Sequence, residues 1–395
     1  MKRVLITLVL AVLFAALAPA SNAATPTVTL LPGESVFWGP FNHDDAGAPL
    51  EFRIKVPRGA DLLRVALDHG DMDDPWTLEV TGPHKGSASG PYSMEVQLTG
   101  DPGMYTVVAR PNFEGPSEYR LRAQLANVDP PKDKEVLLPN LRVVPPYEFT
   151  FKGTFPLESE GVSCDPLETA QERVTRCLRF SFGPENNGRG PLLLRLAPPA
   201  EEGGETRMYQ RIFRGDGSFK EYDVGTYEYH AAHAHFHHPL LAGQELYRVM
   251  NRRTGSMFPA GKAKKTGFCT SDYIMVDWDR FFHAPIHSTE ASCGLAPVPT
   301  DDAFMGMSTG WADIYYWGLE GNYVNFSDES DGYFVVRAFA DSTHSLHESD
   351  ESDNVSYAYF KIEGSSVKLL ERGYGEDPWD PAKEVLNDPR SAAKA

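Results

Sequence analysis

Five histidines lie close together in the middle of the chain, and their type and spacing could do metal chemistry. The segment "YEYHAAHAHFHH" contains five of the chain's twelve histidines: His230, His233, His235, His237 and His238. Neutral imidazole is the commonest side-chain ligand for copper and zinc, so this density predicts a defined metal site. A loose histidine-rich tract is the alternative, but the intervening residues are alanine and phenylalanine rather than polar ones.

The secondary structure of this segment decides which histidines share a face. On a helix His230, His233 and His237 would lie together, whereas on a strand His233, His235 and His237 would. The alternation in "TYEYH" and the nearby Pro239 favour a strand. A flat strand would separate its outer two histidines by about 13 Å, so we expect this strand to curve around one ion.

The four cysteines predict two disulfides, because an even number in an exported chain is typical of paired cysteines. Three pairings are possible, and the shorter loops favour Cys164–Cys177 and Cys269–Cys293. A zinc site made of four thiolates is the rival, but no C-x-x-C spacing supports it.

The first residues are typical of a secretory signal peptide spanning residues 1–23. Lys2 and Arg3 precede an apolar run over residues 4–17, and "SNA" offers small residues for cleavage near Ala23. The run is shorter than the roughly 20 residues that a membrane span needs. We therefore expect a secreted protein, extracellular or periplasmic, that does not insert into membranes.

The formal charge predicts which partners the protein favours. The net charge is −18, and loss of the two cations Lys2 and Arg3 with the signal peptide leaves −20. Such a chain repels nucleic acid and attracts cations or cationic substrates.

Periodicity and composition predict an all-β protein with two folded units. Residues 24–126 alternate apolar and polar side chains, as in "LEFRIKV", which predicts a β-sandwich or jelly roll. The segment 127–136 combines prolines with mixed charges and predicts a linker. Residues 137–364 form a second β-rich unit with long loops. We expect residues 365–395 to be a loosely ordered polar tail.

Five motifs of the second unit together resemble the lysyl oxidase family of copper-dependent amine oxidases. The histidine segment has that family's H-x-x-H-x-H-x-H spacing, with tyrosines in place of tryptophans. "KTGFC" places a lysine three residues before Phe-Cys, and "GWADIY" places a tyrosine at the family's position. "LPNL" and "HESDESDN" match the opening and closing motifs, and all five occur in the family's order. With its extra N-terminal unit, the chain looks like a microbial-type homologue.

The resemblance implies a fold, a metal site and a cofactor. The second unit would be the catalytic domain. His233, His235 and His237 would bind copper, with His230 as a nearby or alternate ligand. Lys265 and Tyr315 would form the family's self-derived cofactor, lysine tyrosylquinone. The enzyme would use O2 to convert primary amines, as peptidyl lysine or as small amines, to aldehydes, with ammonia and hydrogen peroxide as co-products.

The closing motif of the family implies a structural calcium site. The implied ligands are oxygen donors from two segments: Asn140, the Leu141 carbonyl, Glu348, Asp350, Asp353 and Asn354. The family has aspartate where Asn140 stands and asparagine where Asp353 stands, so the two changes cancel in charge.

One departure from the family leaves the general base open, and two alternative functions remain. The stretch "HPLLAGQE" differs from the family and leaves the general base unassigned, with Asp313 as the candidate. A non-catalytic extracellular metal-binding protein with an inactive oxidase site is one alternative function. A zinc-dependent hydrolase is another, although no H-E-x-x-H motif is present.

Overall fold

The computed structural model confirms the all-β class. Every named element is a β-strand among the residues that the structure describes. These are residues 27–32, 34–43, 49–69, 76–90, 94–112, 117–126, 132–152, 164, 174–199, 205–230, 235–263, 267–277, 280, 284, 286–288, 293 and 302–386. The predicted signal peptide therefore lies outside the described residues. Within them, no helix has the length and apolar character needed to cross a bilayer.

The chain divides into two compact units, Met1–Val128 and Asp129–Ala395. The strands of the first unit are β1 (Thr27–Thr29), β2 (Glu34–His43), β3 (Leu50–Val56), β4 (Ala60–His69), β5 (Trp76–Thr81), β6 (Gly86–Gly90), β7 (Met94–Gly100), β8 (Gly103–Pro111) and β9 (Ser117–Ala126). They form one sheet in the order β1-β3-β8-β5-β6 and a second in the order β2-β9-β4-β7.

The alternating pattern of the first unit builds its core. In β3, Phe52, Ile54 and Val56 are buried while the residues between them are exposed. Buried side chains from both sheets pack into one apolar cluster that includes Trp76 and Tyr105. The unit is thus two sheets that enclose a shared core, which is the layered arrangement that strict alternation favours.

The second unit contains more and shorter strands. They are β10 (Val136–Leu137), β11 (Leu141–Thr150), β12 (Cys177–Asn186), β13 (Leu192–Ala197), β14 (Arg207–Arg214), β15 (Phe219–Asp223), β16 (Glu228–His230), β17 (His235–His237), β18 (Ala242–Asn251), β19 (Ser256–Lys262), β20 (Ile274–Met275), β21 (Ala303–Met307), β22 (Trp311–Ala312), β23 (Tyr323–Asn325), β24 (Gly332–Ala340), β25 (Val355–Glu363), β26 (Ser366–Tyr374) and β27 (Glu384–Val385). Val136, the last residue of the predicted linker, already belongs to β10.

These strands form four sheets around one large apolar core. The largest has six described strands in the order β19-β18-β24-β25-β26-β27. Two sheets follow the orders β10-β14-β13-β21 and β11-β12-β22-β20, with β15 and β23 attached at their sides, and β16 pairs with β17 alone. The core draws side chains from all four sheets, so the short histidine hairpin is anchored by the larger sheets.

The segment after Gly364 is not the loosely ordered tail that its polarity predicts. Gly364 turns the chain with φ 58°, and Ser366–Tyr374 then pairs antiparallel with β25. Val367 and Leu369 pack against the core, while Lys368 between them is exposed. The prediction was wrong because this strand has few apolar side chains. They become partly buried only when the strand pairs with β25 in the folded sheet.

Candidate metal and cofactor site

The histidine segment forms a hairpin. In β16 and β17, Glu228 pairs with His237 and His230 pairs with His235. The chain therefore reverses direction between His230 and His235, and does not continue as the single curved strand that the spacing predicts. The loop of residues 231–234, which includes His233, lies outside the described residues, as does the side chain of His230.

The side chains of His235 and His237 converge on one point. Their Nε2 atoms lie 3.0 Å apart, and their ring centroids lie 4.9 Å apart. Two imidazole nitrogens that are each about 2.0–2.1 Å from one ion would have about this separation at a near-right angle. The pair therefore fits two neighbouring ligands of a copper or zinc ion. Without an ion, one of these nitrogens donates a hydrogen bond to the other.

Phe236 holds the hairpin from its other face. Its buried ring meets the rings of Tyr227 and Tyr229 edge to face, at centroid distances of 5.0 and 5.4 Å. Because alternate residues of a strand point to opposite faces, burying Phe236 turns His235 and His237 together to the opposite side. The aromatic residues of the motif thus position His235 and His237.

The segment that follows Lys265 runs beside the histidine strand. His238 and Phe268 form an antiparallel bridge with N–H···O distances of 2.9 and 3.1 Å. Gly267 lies against His237, and a Cβ atom there would be 3.1 Å from its Nδ1. A glycine at this position therefore permits the close approach. Lys265 itself lies outside the described residues.

Both predicted disulfides are confirmed. Cys164 pairs with Cys177 and Cys269 pairs with Cys293, with Cα–Cα distances of 5.2 and 5.8 Å. The Cys293 carbonyl also accepts a hydrogen bond from the Phe236 amide at 3.0 Å. The second disulfide therefore links the histidine strand to the segment that follows Lys265.

Tyr315 lies against that same segment. Its ring meets Phe268 edge to face at 4.7 Å, and its backbone pairs with Phe182. Burial raises the pKa of Tyr315 well above the ordinary value, the charge of Asp313 raises it further, and a hydrogen bond with the backbone of Cys269 opposes the rise. The phenol is thus held protonated at neutral pH unless a cation approaches it.

Asp313, the candidate base, lies two residues before Tyr315. It is buried, and its backbone amide donates to the Pro184 carbonyl at 2.9 Å. Its carboxylate is close enough for its charge to affect the pKa of Tyr315. The fold puts this candidate base beside Tyr315.

His238 is a buried histidine for which the motifs predict no role. Desolvation lowers its pKa to about 4 in spite of the charge of Asp341, so the ring is neutral. Its Nδ1 accepts a hydrogen bond from the Leu240 amide at 3.3 Å. His238 directly follows His237, so in a strand its side chain points to the face opposite that of His235 and His237. The sequence could have indicated this from the break in the period-2 pattern.

A second candidate site surrounds Glu348. Its carboxylate accepts hydrogen bonds from the Leu141 amide and, at 3.0 Å, from Asn354 Nδ2. Burial raises the pKa of Glu348 from 4.5 to about 8. Asn354 is 4% exposed, and its Oδ1 has no hydrogen-bond partner among the described residues. A buried, unpaired oxygen beside a carboxylate is suited to a cation.

The other implied calcium ligands are only partly assembled. Asn140 Nδ2 donates to both oxygens of Asp353, at 3.1 and 3.0 Å, while its Oδ1 accepts from Ser349 at 3.2 Å. Burial raises the pKa of Asp353. Asp350 is exposed and accepts hydrogen bonds from Ser352, which lower its pKa. In this arrangement Asn140 presents a donor, not a ligand oxygen.

Two acidic residues join Glu348 that were not expected there. Asp341, Glu348 and Glu351 each offer a carboxylate oxygen, and these oxygens lie within 4.8 Å of one another. Glu351 belongs to the acidic run of "HESDESDN", whereas Asp341 directly follows β24 and comes close only through the fold. We call these three residues with Asn354 the acidic cluster. Its oxygen donors match a hard cation such as calcium.

No protein-family model matches this chain, and a search of curated proteins finds no match either. Its function must therefore be inferred from the chemistry of its own side chains.

Proposed function

We propose that this protein is a secreted, copper-dependent amine oxidase of the lysyl oxidase type. It would convert a primary ammonium substrate, O2 and water to an aldehyde, ammonium and hydrogen peroxide. The observation that supports this proposal is the contact of three segments that are distant in sequence: residues 235–238, 267–269 and 313–315. These carry three of the motifs on which the resemblance depends.

The residues of these segments fit the roles that an amine oxidase needs. His235 and His237 would bind copper, together with His233. Tyr315 and Lys265 would supply the quinone cofactor in the presence of copper and O2. When formed, that cofactor provides the electron sink that amine oxidation requires and that ordinary side chains lack.

The chain's own contribution is to orient groups and to control protons. Phe268 fixes the plane of the Tyr315 ring, and the low-dielectric surroundings keep the Tyr315 proton in place until a cation is present. Asp313 would accept the proton from the carbon next to the substrate amine, since it is buried beside Tyr315. Burial of these groups also limits the access of bulk water.

The acidic cluster would hold a structural calcium ion. Support comes from the unpaired Asn354 oxygen and from the raised pKa of Glu348, since both mark oxygen donors that are buried without a balancing charge. Such an ion would stabilise the segment between β24 and β25, which Glu348 connects to the Leu141 amide at the start of β11.

Secretion and a cationic substrate complete the proposal. Two disulfides are typical of an oxidising, extracellular type of compartment. The formal charge of −18 favours peptidyl lysine, alkylamines and polyamines over anionic partners, and it disfavours nucleic acid.

The decisive experiment uses the full mature chain, loaded with copper and incubated in air. A panel of a lysine-containing peptide, an alkylamine and a polyamine is assayed for hydrogen peroxide. Tyr315→Phe should abolish peroxide production while copper stays bound, because the histidines remain. Tyr316→Phe is the matched control and should keep activity.

Peptide mapping provides an independent readout. The digest of active protein should contain a cross-linked Lys265–Tyr315 peptide that Lys265→Ala abolishes and Lys264→Ala leaves unchanged. Copper-replete, oxygenated protein that yields no quinone and no peroxide from any primary amine would overturn the proposal. The non-catalytic metal-binding function would then take its place.

A further inference from the structure

A polar row crosses the inner face of the six-stranded sheet, which packs on the main core of the second unit. Gln244 of β18 pairs with Ala338 of β24, and Ala338 pairs with Ser356 of β25. Cross-strand partners point to the same face of a sheet. The flanking residues Leu246 and Val336 belong to the apolar core, so Gln244 and Ser356 are directed into it.

Both polar side chains of this row are deeply buried and unsatisfied. Gln244 is 3% exposed and Ser356 is 0% exposed. Neither amide atom of Gln244 nor the Ser356 hydroxyl has a hydrogen-bond partner among the described residues. Leaving such groups unpaired is costly, and native proteins nearly always pair them with protein or with ordered water.

The spacing of the row matches water better than a direct contact. Gln244 and Ser356 are two strand spacings apart, about 9–10 Å between Cα atoms. A serine side chain is short, so a hydrogen bond of about 2.8 Å between the two side chains is out of reach. Ala338 between them adds a single methyl group, and Ala340 and Ala358 are its small neighbours on that face. A bridging water would supply the partner that direct contact cannot.

We propose that Gln244 and Ser356 form a buried water-binding site above Ala338, which holds one or two water molecules. An amide supplies two donors and one acceptor, and a hydroxyl supplies both, so a bridging water can reach the two to four hydrogen bonds that buried waters make. The site explains two polar residues in an otherwise apolar face. It does not depend on the proposed oxidase function.

Thermal unfolding of the full mature chain tests the site through the sign of the change in Tm. If water bridges the two side chains, Gln244→Met and Ser356→Ala should each lower Tm by about 2–4 °C, and the double variant should lose less than their sum. If the side chains are unpaired, replacing them with apolar groups relieves a penalty. An unchanged or raised Tm in either single variant would therefore overturn the proposal.

Gln210→Met is the matched control. Gln210 is equally buried, but it donates to the His347 carbonyl at 3.0 Å and accepts from the His347 amide at 2.7 Å. Its substitution should lower Tm, and the size of that decrease shows what the loss of a fully hydrogen-bonded buried glutamine costs. A crystal structure that resolves waters provides a second readout. Density within hydrogen-bond distance of Gln244 and Ser356 supports the site, and its absence overturns it.

Discussion

The histidine pair and the acidic cluster differ in how completely the fold assembles them without an ion. His235 and His237 already point their Nε2 atoms at each other, while Glu348 is engaged by the Leu141 amide and by Asn354. Neutral imidazoles can be buried together at small cost, whereas buried carboxylates repel one another and resist ionisation. The first site is therefore preorganised, whereas burial raises the pKa of Glu348 in the second to about 8, so this carboxyl needs a cation to reach its charged form at neutral pH.

This difference predicts separate functions for two sites in one unit. A preorganised pair of nitrogen donors suits an ion that takes part in chemistry and must keep a fixed geometry. A set of oxygen donors that includes the buried Asp341 and the half-buried Glu348 suits an ion that stabilises the fold. The comparison can be tested by variants that affect one site and spare the other.

The largest expected effect is the loss of copper from His235→Ala. Removing one member of the pair should reduce bound copper sharply and abolish peroxide production, because the remaining ligands no longer enclose the ion. Metal analysis of purified protein and the peroxide assay measure both changes. His84→Ala, an exposed histidine of the first unit that pairs with Asp101, should keep copper.

Glu348→Gln sharpens the same test. It should leave the copper content unchanged while removing calcium-dependent stabilisation. Copper loss equal to that of His235→Ala would show that the two sites are not independent, and full copper retention in His235→Ala would remove the pair from the metal site.

Local features of the molecule could be predicted from the sequence, and long-range ones could not. The alternation of Phe52, Ile54 and Val56 predicts which face of β3 is buried. The short loop between Cys269 and Cys293 was sufficient to predict their disulfide. By contrast, the strand Ser366–Tyr374 gains its apolar neighbours only when β25 lies beside it.

At the candidate metal and cofactor site, too, local motifs could be predicted and contacts between distant segments could not. Histidine spacing indicated His235 and His237, and the family resemblance implied Tyr315, because each of these motifs is local. The approach of Phe268 to both the histidine strand and Tyr315 depends on three segments that meet only in the fold. Asp341 joins the acidic cluster in the same way, and no spacing within the closing motif could indicate it.

Removing the Cys269–Cys293 disulfide should destabilise the protein and loosen the histidine site. The double variant Cys269→Ser with Cys293→Ser should lower the free energy of unfolding by about 3 kcal/mol, as is typical for loops of this size. Copper affinity should fall as well, because the Cys293 carbonyl binds the Phe236 amide. Denaturant unfolding and copper titration measure the two effects.

The Cys164–Cys177 pair is the control for this experiment. The matching double serine variant should cost a similar amount of stability, but it should leave copper affinity close to that of the wild type. Equal loss of copper in both variants would indicate a general loss of structure instead of a local link.

Gly267→Ala should have a smaller effect on the histidine pair alone. A Cβ atom at this position would lie 3.1 Å from His237 Nδ1 and 3.4 Å from its Cβ, so the ring must shift by a few tenths of an ångström. We expect copper affinity to fall by about tenfold, the scale of disturbing a group that orients a ligand. Gly59→Ala, which would meet Pro102 at 3.0 Å in the first unit, is the control. Unchanged affinity in Gly267→Ala would contradict a preorganised pair.

The smallest expected effect is the dependence of stability on pH at the acidic cluster. Burial raises the pKa of Glu348 from 4.5 to about 8, so the folded protein keeps a proton there that the unfolded chain has already lost. Between these two values the folded state binds more protons, and its stability must fall as pH rises. The contribution of Glu348 is fully present below its unfolded pKa and is lost as pH rises through about 8.

The Tm of metal-free protein in a chelator should therefore fall by a few degrees between about pH 6 and pH 9. Added calcium should reduce this fall, because the ion stabilises the ionised carboxylate and binds more tightly as the proton leaves. Glu348→Gln removes the titrating group and should flatten the profile in the chelator, while the exposed Asp350→Asn should leave it unchanged. A pH profile of Tm that calcium does not alter would mean that the acidic cluster is not a cation site. The acidic cluster and the histidine pair would then differ only in how burial affects their side chains.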